Sequence, residues 1–302
     1  MTERESSQSG EQIHLDREKS LSWLESVRTL LSNKNFTVFL LTGWIYSSFN
    51  VIQRYLQFYF RDIGIGYFEI GVLFSVFSAW VLVGQLIAGY LADNTDRKHL
   101  AWITMASNGF GYIILSLAYD IWTVVFGFLT IALSTFTGKG GTAYIMEQME
   151  RRVAGVGISI FQFGTALGLL PLFVMTLLFD SGWAFVPIMR VMLLLAGIGY
   201  LACTLIRIIA LESSPPTRSS KREESYIRDF INETVRGTKL LLRILPVFVL
   251  VSTIDAFSDS FYRYGSSFYI NESLRFQLGD INLMLLITLV VSVPLTLVLG
   301  RS

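Results

Sequence analysis

Asp255, Asp259 and Arg263 follow one another at four-residue steps inside an otherwise apolar stretch. That spacing places all three on one face of a helix. Ser47, Asn50, Arg54 and Gln57 form a second polar stripe in an apolar stretch nearer the N-terminus. A charge at bilayer depth costs at least about 2.5 kcal/mol by insertion scales, so such groups face a cavity or a partner. Low dielectric disfavours an ionised carboxyl and a neighbouring guanidinium favours it, so Asp259 beside Arg263 can gain and lose a proton as its surroundings change. Coupling solute movement to a proton gradient requires such a group, with Asp255 relaying the proton or holding a substrate cation. The alternative is a plain ion pair between Asp259 and Arg263 that only satisfies their burial. Arg190 and Lys139 are weaker candidates, because their helix faces are less clear.

The elements that must position these stripes are membrane helices. The chain of 302 residues is 52% hydrophobic and only 16% charged, with a mean hydropathy of +0.53. A soluble domain carries about a quarter of its residues charged, so the solvent here is lipid. About 20 mainly apolar residues cross a bilayer as a helix. Eight such stretches are expected: Phe36 to Phe60, Phe68 to Leu91, His99 to Tyr119, Ile121 to Met146, Val153 to Phe179, Trp183 to Ile209, Pro246 to Tyr269 and Gly279 to Leu299. Asp120 and Asp180-Ser181-Gly182 mark tight hairpins between them.

Several functions are disfavoured at once. The net charge of +1 provides no field for nucleic acid, and the single cysteine, Cys203, with two distant histidines, His14 and His99, makes no metal-ligand motif. Neither a phosphate-binding G-x-x-x-x-G-K-(S/T) loop nor a G-x-S-x-G elbow occurs, so neither a fused ATPase nor an enzyme is expected. No cofactor is expected, and residues 1–35 do not read as a cleavable signal peptide.

Lysine and arginine accumulate in the loops of one parity. Arg28 and Lys34 precede the first span, Arg97 and Lys98 follow the second, and Arg151 and Arg152 follow the fourth. Arg218, Lys221, Arg222, Arg228, Arg236, Lys239 and Arg243 follow the sixth, whereas the opposite loops hold only Arg61 and Arg275. The positive-inside rule then puts the N-terminus in the cytoplasm of a multi-pass cell-membrane protein. Four segments are expected: 1–35, a cytoplasmic N-terminal segment; 36–210, a six-helix bundle; 211–245, a cytoplasmic linker; and 246–302, the start of a second bundle with two spans. Trp23, Leu24, Val27, Leu30 and Leu31 predict an amphipathic helix before the first span. Tyr226, Ile227, Phe230 and Ile231 predict one in the linker.

The two bundles repeat one another. Val38-Phe39-Leu40-Leu41 matches Val247-Phe248-Val249-Leu250, and Arg54-Tyr55 matches Arg263-Tyr264 at the same offset. Glu69-Ile70 then aligns with Asp280-Ile281, and Gly89 with Gly300. A parallel repeat of this kind builds the two halves of many transporters. On this reading the second half is expected to hold six spans as well, and the chain to stop two spans into it.

Between spans two and three stands Gly89-Tyr90-Leu91-Ala92-Asp93-Asn94-Thr95-Asp96-Arg97-Lys98. This resembles the signature loop of the major facilitator superfamily, G-x-x-x-D-(R/K)-x-G-(R/K)-(R/K), at the place where that family carries it. Asn94 stands where a basic residue is usual and Asp96 where glycine is usual. Farther on, Gly138-Lys139-Gly140-Gly141, Glu147, Arg151 and Arg152 resemble the family's fourth span running into its charged cytoplasmic loop. The resemblance implies an all-α polytopic membrane protein, a six-helix bundle plus the first two helices of a second. It also implies a conformational latch built from Gly89, Asp93, Arg97, Lys98, Glu147 and Arg152, with Gly89 letting helices approach closely. Spans one and seven of that fold face each other across a central cavity, which makes Asn50, Arg54, Gln57, Asp255, Asp259 and Arg263 the expected substrate or ion path.

The reading is a secondary transporter that moves a small solute by alternating access. Its partners are that solute, protons or another coupling ion, and membrane lipids, with no nucleic acid. A membrane sensor or scaffold that keeps the fold without transporting is the alternative.

Overall fold

The computed structural model describes residues 22–150, 152–214 and 268–299, and between them 232, 235, 236, 239, 243–248, 250, 251, 254, 255, 258 and 266. The described residues contain helices and no strand. Helix α1 (Trp23–Ser32) opens on a reciprocal cap, in which Ser22 accepts from the backbone of Glu25 and Glu25 reaches back to the Ser22 N–H at 2.9 Å. Burial of Leu30 docks α1 on the protein and leaves Trp23, Leu24 and Leu31 exposed, as an interfacial helix requires.

The first span runs through α2 (Lys34–Asn50), a tight 3-10 turn (Val51–Tyr55) and α3 (Leu56–Asp62). Spans two, three and four are α4 (Tyr67–Asn94), α5 (Arg97–Ser116) and α6 (Ile121–Glu147). The fifth span is α7 (Ala154–Gln162), a 3-10 segment (Phe163–Gly168) and α8 (Leu169–Asp180). Its winding changes where Gly164, Gly168 and Pro171 cluster, because proline withholds the N–H that an α-turn would need there. The sixth span is α9 (Phe185–Ala210), and the stretch expected as the eighth is α10 (Leu278–Leu299), preceded by a short π-helical turn (Tyr269–Ser273). Among the described residues, four helices are long and apolar enough to cross a membrane by length and composition: Tyr67–Asn94, Ile121–Glu147, Ala154–Phe179 and Phe185–Ala210.

Small residues let the spans meet backbone to backbone. A Cβ on Gly111 would lie 3.0 Å from the Gly127 carbonyl, and one on Gly197 would lie 2.9 Å from the Gly109 carbonyl, tying span three to spans four and six. The core fills from those seams outward with Tyr59, Tyr112, Leu115, Met189, Leu193 and Tyr200. Hairpins close the ends as expected: Asp120 caps α6 by accepting from the Thr123 N–H at 2.9 Å, and Gly182, at φ 82°, makes the left-handed turn before α9. Glu69 and Asp280 each stand third in their helices, α4 and α10, which agrees with the repeat.

Candidate functional site

The loop between spans two and three is held by charge. Arg97 enters at the start of α5, buried, and its guanidinium pairs with Glu147 at the end of α6. Its Nε donates to the Ala92 carbonyl at 3.0 Å, and Asp93 stands 4.0 Å from Nη2. The latch residues Asp93, Arg97 and Glu147 thus lie together. Lys98 joins through its backbone N–H, which donates to Asp96 at 2.9 Å.

Two of the expected latch residues stand apart from this cluster. Gly89 is exposed, and among the described residues nothing lies within 4 Å of a Cβ built on it. Close approaches include those at Gly84, Gly109, Gly111, Gly127, Gly140, Gly164 and Gly197. Arg152 turns away to an exposed pair with Glu150 at 2.8 Å, and Arg151 lies outside the described residues.

Asp96 does more than cap α5. Its carboxylate accepts the Ser214 N–H at 3.1 Å and the Ser213 hydroxyl, while the Ser214 hydroxyl donates to Glu147 at 2.5 Å. Burial alone would raise the Asp96 carboxyl, but donation from Ser213, Ser214 and Lys98, with the His99 charge, holds it below its ordinary value. Glu212 exchanges two 3.2 Å bonds with Asn35, and Tyr144 donates to the Glu212 carbonyl at 3.0 Å. Just inside this cluster Arg207, fully buried on α9, donates to Thr42 at 2.9 Å and to the Ala101 carbonyl at 2.8 Å, over the face of Phe39. Sequence reasoning passed over Arg207, although an arginine inside the sixth apolar stretch was the signal.

The opposite end of the bundle carries a second set of contacts, and these join residues 55–67 to residues 268–282. Arg61 Nη1 donates to Asn271 and to Glu272, both at 3.2 Å, and the Tyr67 hydroxyl donates to Glu272 at 2.6 Å. Phe268 lies edge-on to Phe58 and Tyr67, each with centroids 5.4 Å away. One layer deeper the buried amide of Asn282 accepts from the Tyr55 hydroxyl at 2.6 Å and donates to the Leu172 carbonyl at 2.8 Å and to Thr176. Asn282 thereby knots spans one, five and eight.

The polar stripe of span one does not stay on one face. Asn50 and Arg54 are exposed, whereas Gln57 is buried. The 3-10 turn between them advances the chain about 120° per residue rather than 100°, so the spacing rule for an α-helix fails across it. Gln53 is turned instead toward Tyr112, donating to its hydroxyl at 2.6 Å. Asp255 is exposed, and Asp259 and Arg263 lie outside the described residues. Lys139 is exposed, and Arg190 donates to the Ala118 carbonyl at 3.0 Å. No group of acidic, histidine or cysteine side chains suited to a metal ion occurs among the described residues.

Long apolar helices packed through glycine seams, with no strand among the described residues, describe an all-helical membrane protein. The chain belongs to the Major Facilitator Superfamily, whose model matches residues 35–302. That family comprises transporters, not enzymes. Among solved structures it is similar to a POT family transporter in complex with 5-aminolevulinic acid, at 18% identity and a TM-score of 0.50, over 74% of this chain and 46% of that one. A POT family transporter in complex with a thioalcohol-conjugated peptide matches at 17% identity and a TM-score of 0.48, over 77% of this chain and 49% of that one. The chain therefore spans about half the length of these structures, and the likeness to the first is one of fold. No curated protein matches.

Proposed function

We propose that the protein is a secondary transporter of a small solute that works by alternating access in the cell membrane, with its N-terminus and latch in the cytoplasm. The observation that carries this reading is a closure at one end of the bundle, where Arg61 and Tyr67 grip Asn271 and Glu272 of the second half. At the other end Arg97 and Glu147 pair within the first bundle and do not tie it to the second. A protein that passes a solute through itself must seal one end at a time, and polar, partly exposed clamps can open at modest cost. The positive-inside reading of the basic loops supports an outer position for the clamp. Asn50, Arg54 and Asp255 are exposed polar groups within apolar stretches, and with Asp259 and Arg263 they form the proposed path for the solute and a coupling proton.

Flux in proteoliposomes tests the reading. A panel of radiolabelled amino acids, dipeptides, sugars and organic acids is offered under an imposed pH gradient. Saturable uptake of at least one class, absent from empty liposomes, is expected. Uptake equal to that of empty liposomes for every class would favour the sensor or scaffold.

A further inference from the structure

We infer that the first turn of the linker, Leu211–Ser214, is a docked part of the cytoplasmic latch, and that Asp96 is the residue that docks it. This goes beyond the transport reading, although its place in a transport cycle rests on that reading. Four contacts carry the inference. Asp96 receives both the Ser213 hydroxyl and the Ser214 N–H, Arg97 donates its backbone N–H to the Ser214 carbonyl at 3.3 Å, and the Ser214 hydroxyl shares Glu147 with the Arg97 guanidinium. Leu211, in the same turn, is buried among Leu30, Phe36, Leu40, Tyr144 and Val153. The linker therefore leaves the first bundle gripped by the loop after span two and by the end of span four.

The departure of this loop from the family pattern then has a physical reading. Glycine at position 96 offers a flexible turn but no acceptor. Aspartate gives up that freedom and gains a carboxylate with enough lone pairs to cap α5 through Lys98 and to hold two linker donors. Because Ser214 and Arg97 meet on one carboxylate, Glu147, breaking the latch ion pair also loosens the linker. The linker connects the two halves, so motion of the loop is transmitted to the covalent tie between them.

Alkylation of a cysteine at position 211 tests this without any need for transport. Leu211→Cys is placed in a Cys203→Ala background, and its labelling by a soluble maleimide is followed in membrane vesicles open to the latch face. Asp96→Gly, the family residue, removes two linker acceptor contacts and should raise the labelling rate about tenfold. Native Cys203, buried on α9 and kept in a parallel Asp96→Gly variant with Leu211 intact, should label no faster than in the parent. If Cys203 also becomes reactive, the loop variant has unfolded, and Ser213→Ala/Ser214→Ala, which keeps the loop and its cap, decides. A severalfold rise at position 211 in that double variant supports docking. Labelling at the parental rate in Asp96→Gly, or in the serine double variant where it decides, overturns it. Failure of proteoliposome flux leaves this result untouched, so the two readings fail separately.

Discussion

Gly197→Leu is expected to leave little folded protein in the membrane. A Cβ there would lie 2.6 Å from Ile113 Cγ1, 2.9 Å from the Gly109 carbonyl oxygen and 3.0 Å from the Ile113 backbone nitrogen. Two of those atoms are backbone, so no rotamer change makes room and spans three and six must move apart. Gly109 faces the same seam from the other side, with the Gly197 carbonyl 3.1 Å from its own built Cβ. Overpacking a seam of this kind costs about 3 kcal/mol, the upper end for core insertions, because a leucine brings three more carbons than the Cβ that already clashes. In a detergent melt followed by size exclusion, the apparent Tm should fall by on the order of 10 °C, if a folded peak is recovered at all. Gly138→Ala is the matched control. Nothing among the described residues lies within 4 Å of its built Cβ, and alanine in a helix is favoured over glycine by about 0.5–1 kcal/mol, so that variant should melt no lower than the parent.

Asp259→Asn is expected to abolish accumulation of solute against its gradient while solute exchange across the membrane continues. The argument starts from the cost of a carboxylate in the bilayer and from the two cations that can offset it, Arg263 one turn away and Arg54 in the repeated position of span one. A group held between desolvation and a nearby guanidinium changes protonation when a cavity opens or closes around it, which is how a proton gradient performs work on a solute. Asparagine keeps the shape and the hydrogen bonds but cannot carry the proton. If Asp259 serves only as the partner of Arg263, accumulation should fall in step with the amount of folded protein, and exchanging the two residues should restore both. Accumulation by Asp259→Asn at the parental level per folded molecule would remove Asp259 as the proton carrier.

The spans were legible because lipid imposes a coarse rule that composition obeys. The expected stretch from Phe68 to Leu91 is the helix Tyr67–Asn94, and Ile121 to Met146 is Ile121–Glu147. Hairpins were legible for a local reason, since Asp120 and Gly182 are residues that caps and left-handed turns select. The latch was half legible. The motif named Asp93, Arg97 and Glu147, which do lie together, but it could not show that Arg152 pairs locally or that no described residue lies within 4 Å of a Cβ built on Gly89. The Asp96 grip on the linker was hidden because its partners, Ser213 and Ser214, are more than a hundred residues away in sequence and look like ordinary linker serines. The clamp was hidden for the same reason. Arg61 and Glu272 are unremarkable loop charges until the fold sets them 3.2 Å apart. The stripe in span one divides at Gln57, buried where Asn50 and Arg54 are exposed, because the spacing rule for α-helices does not hold through a 3-10 turn that no residue in Val51–Tyr55 announces.

The central claim is that the polar face of span one lines a water path sealed by the outer clamp, and the reactivity of a cysteine at position 50 tests it most directly. Asn50→Cys, with Cys203→Ala, is exposed to a membrane-impermeant maleimide in right-side-out and in inverted vesicles. With the clamp intact, the account predicts labelling from the cytoplasmic side and protection from the outer side. Glu272→Ala, which removes the acceptor that Arg61 and Tyr67 share, should make position 50 reactive from outside as well. Protection from both sides in both backgrounds would mean that this face meets lipid, and labelling from outside with the clamp intact would mean that the clamp seals nothing; either result would contradict the account.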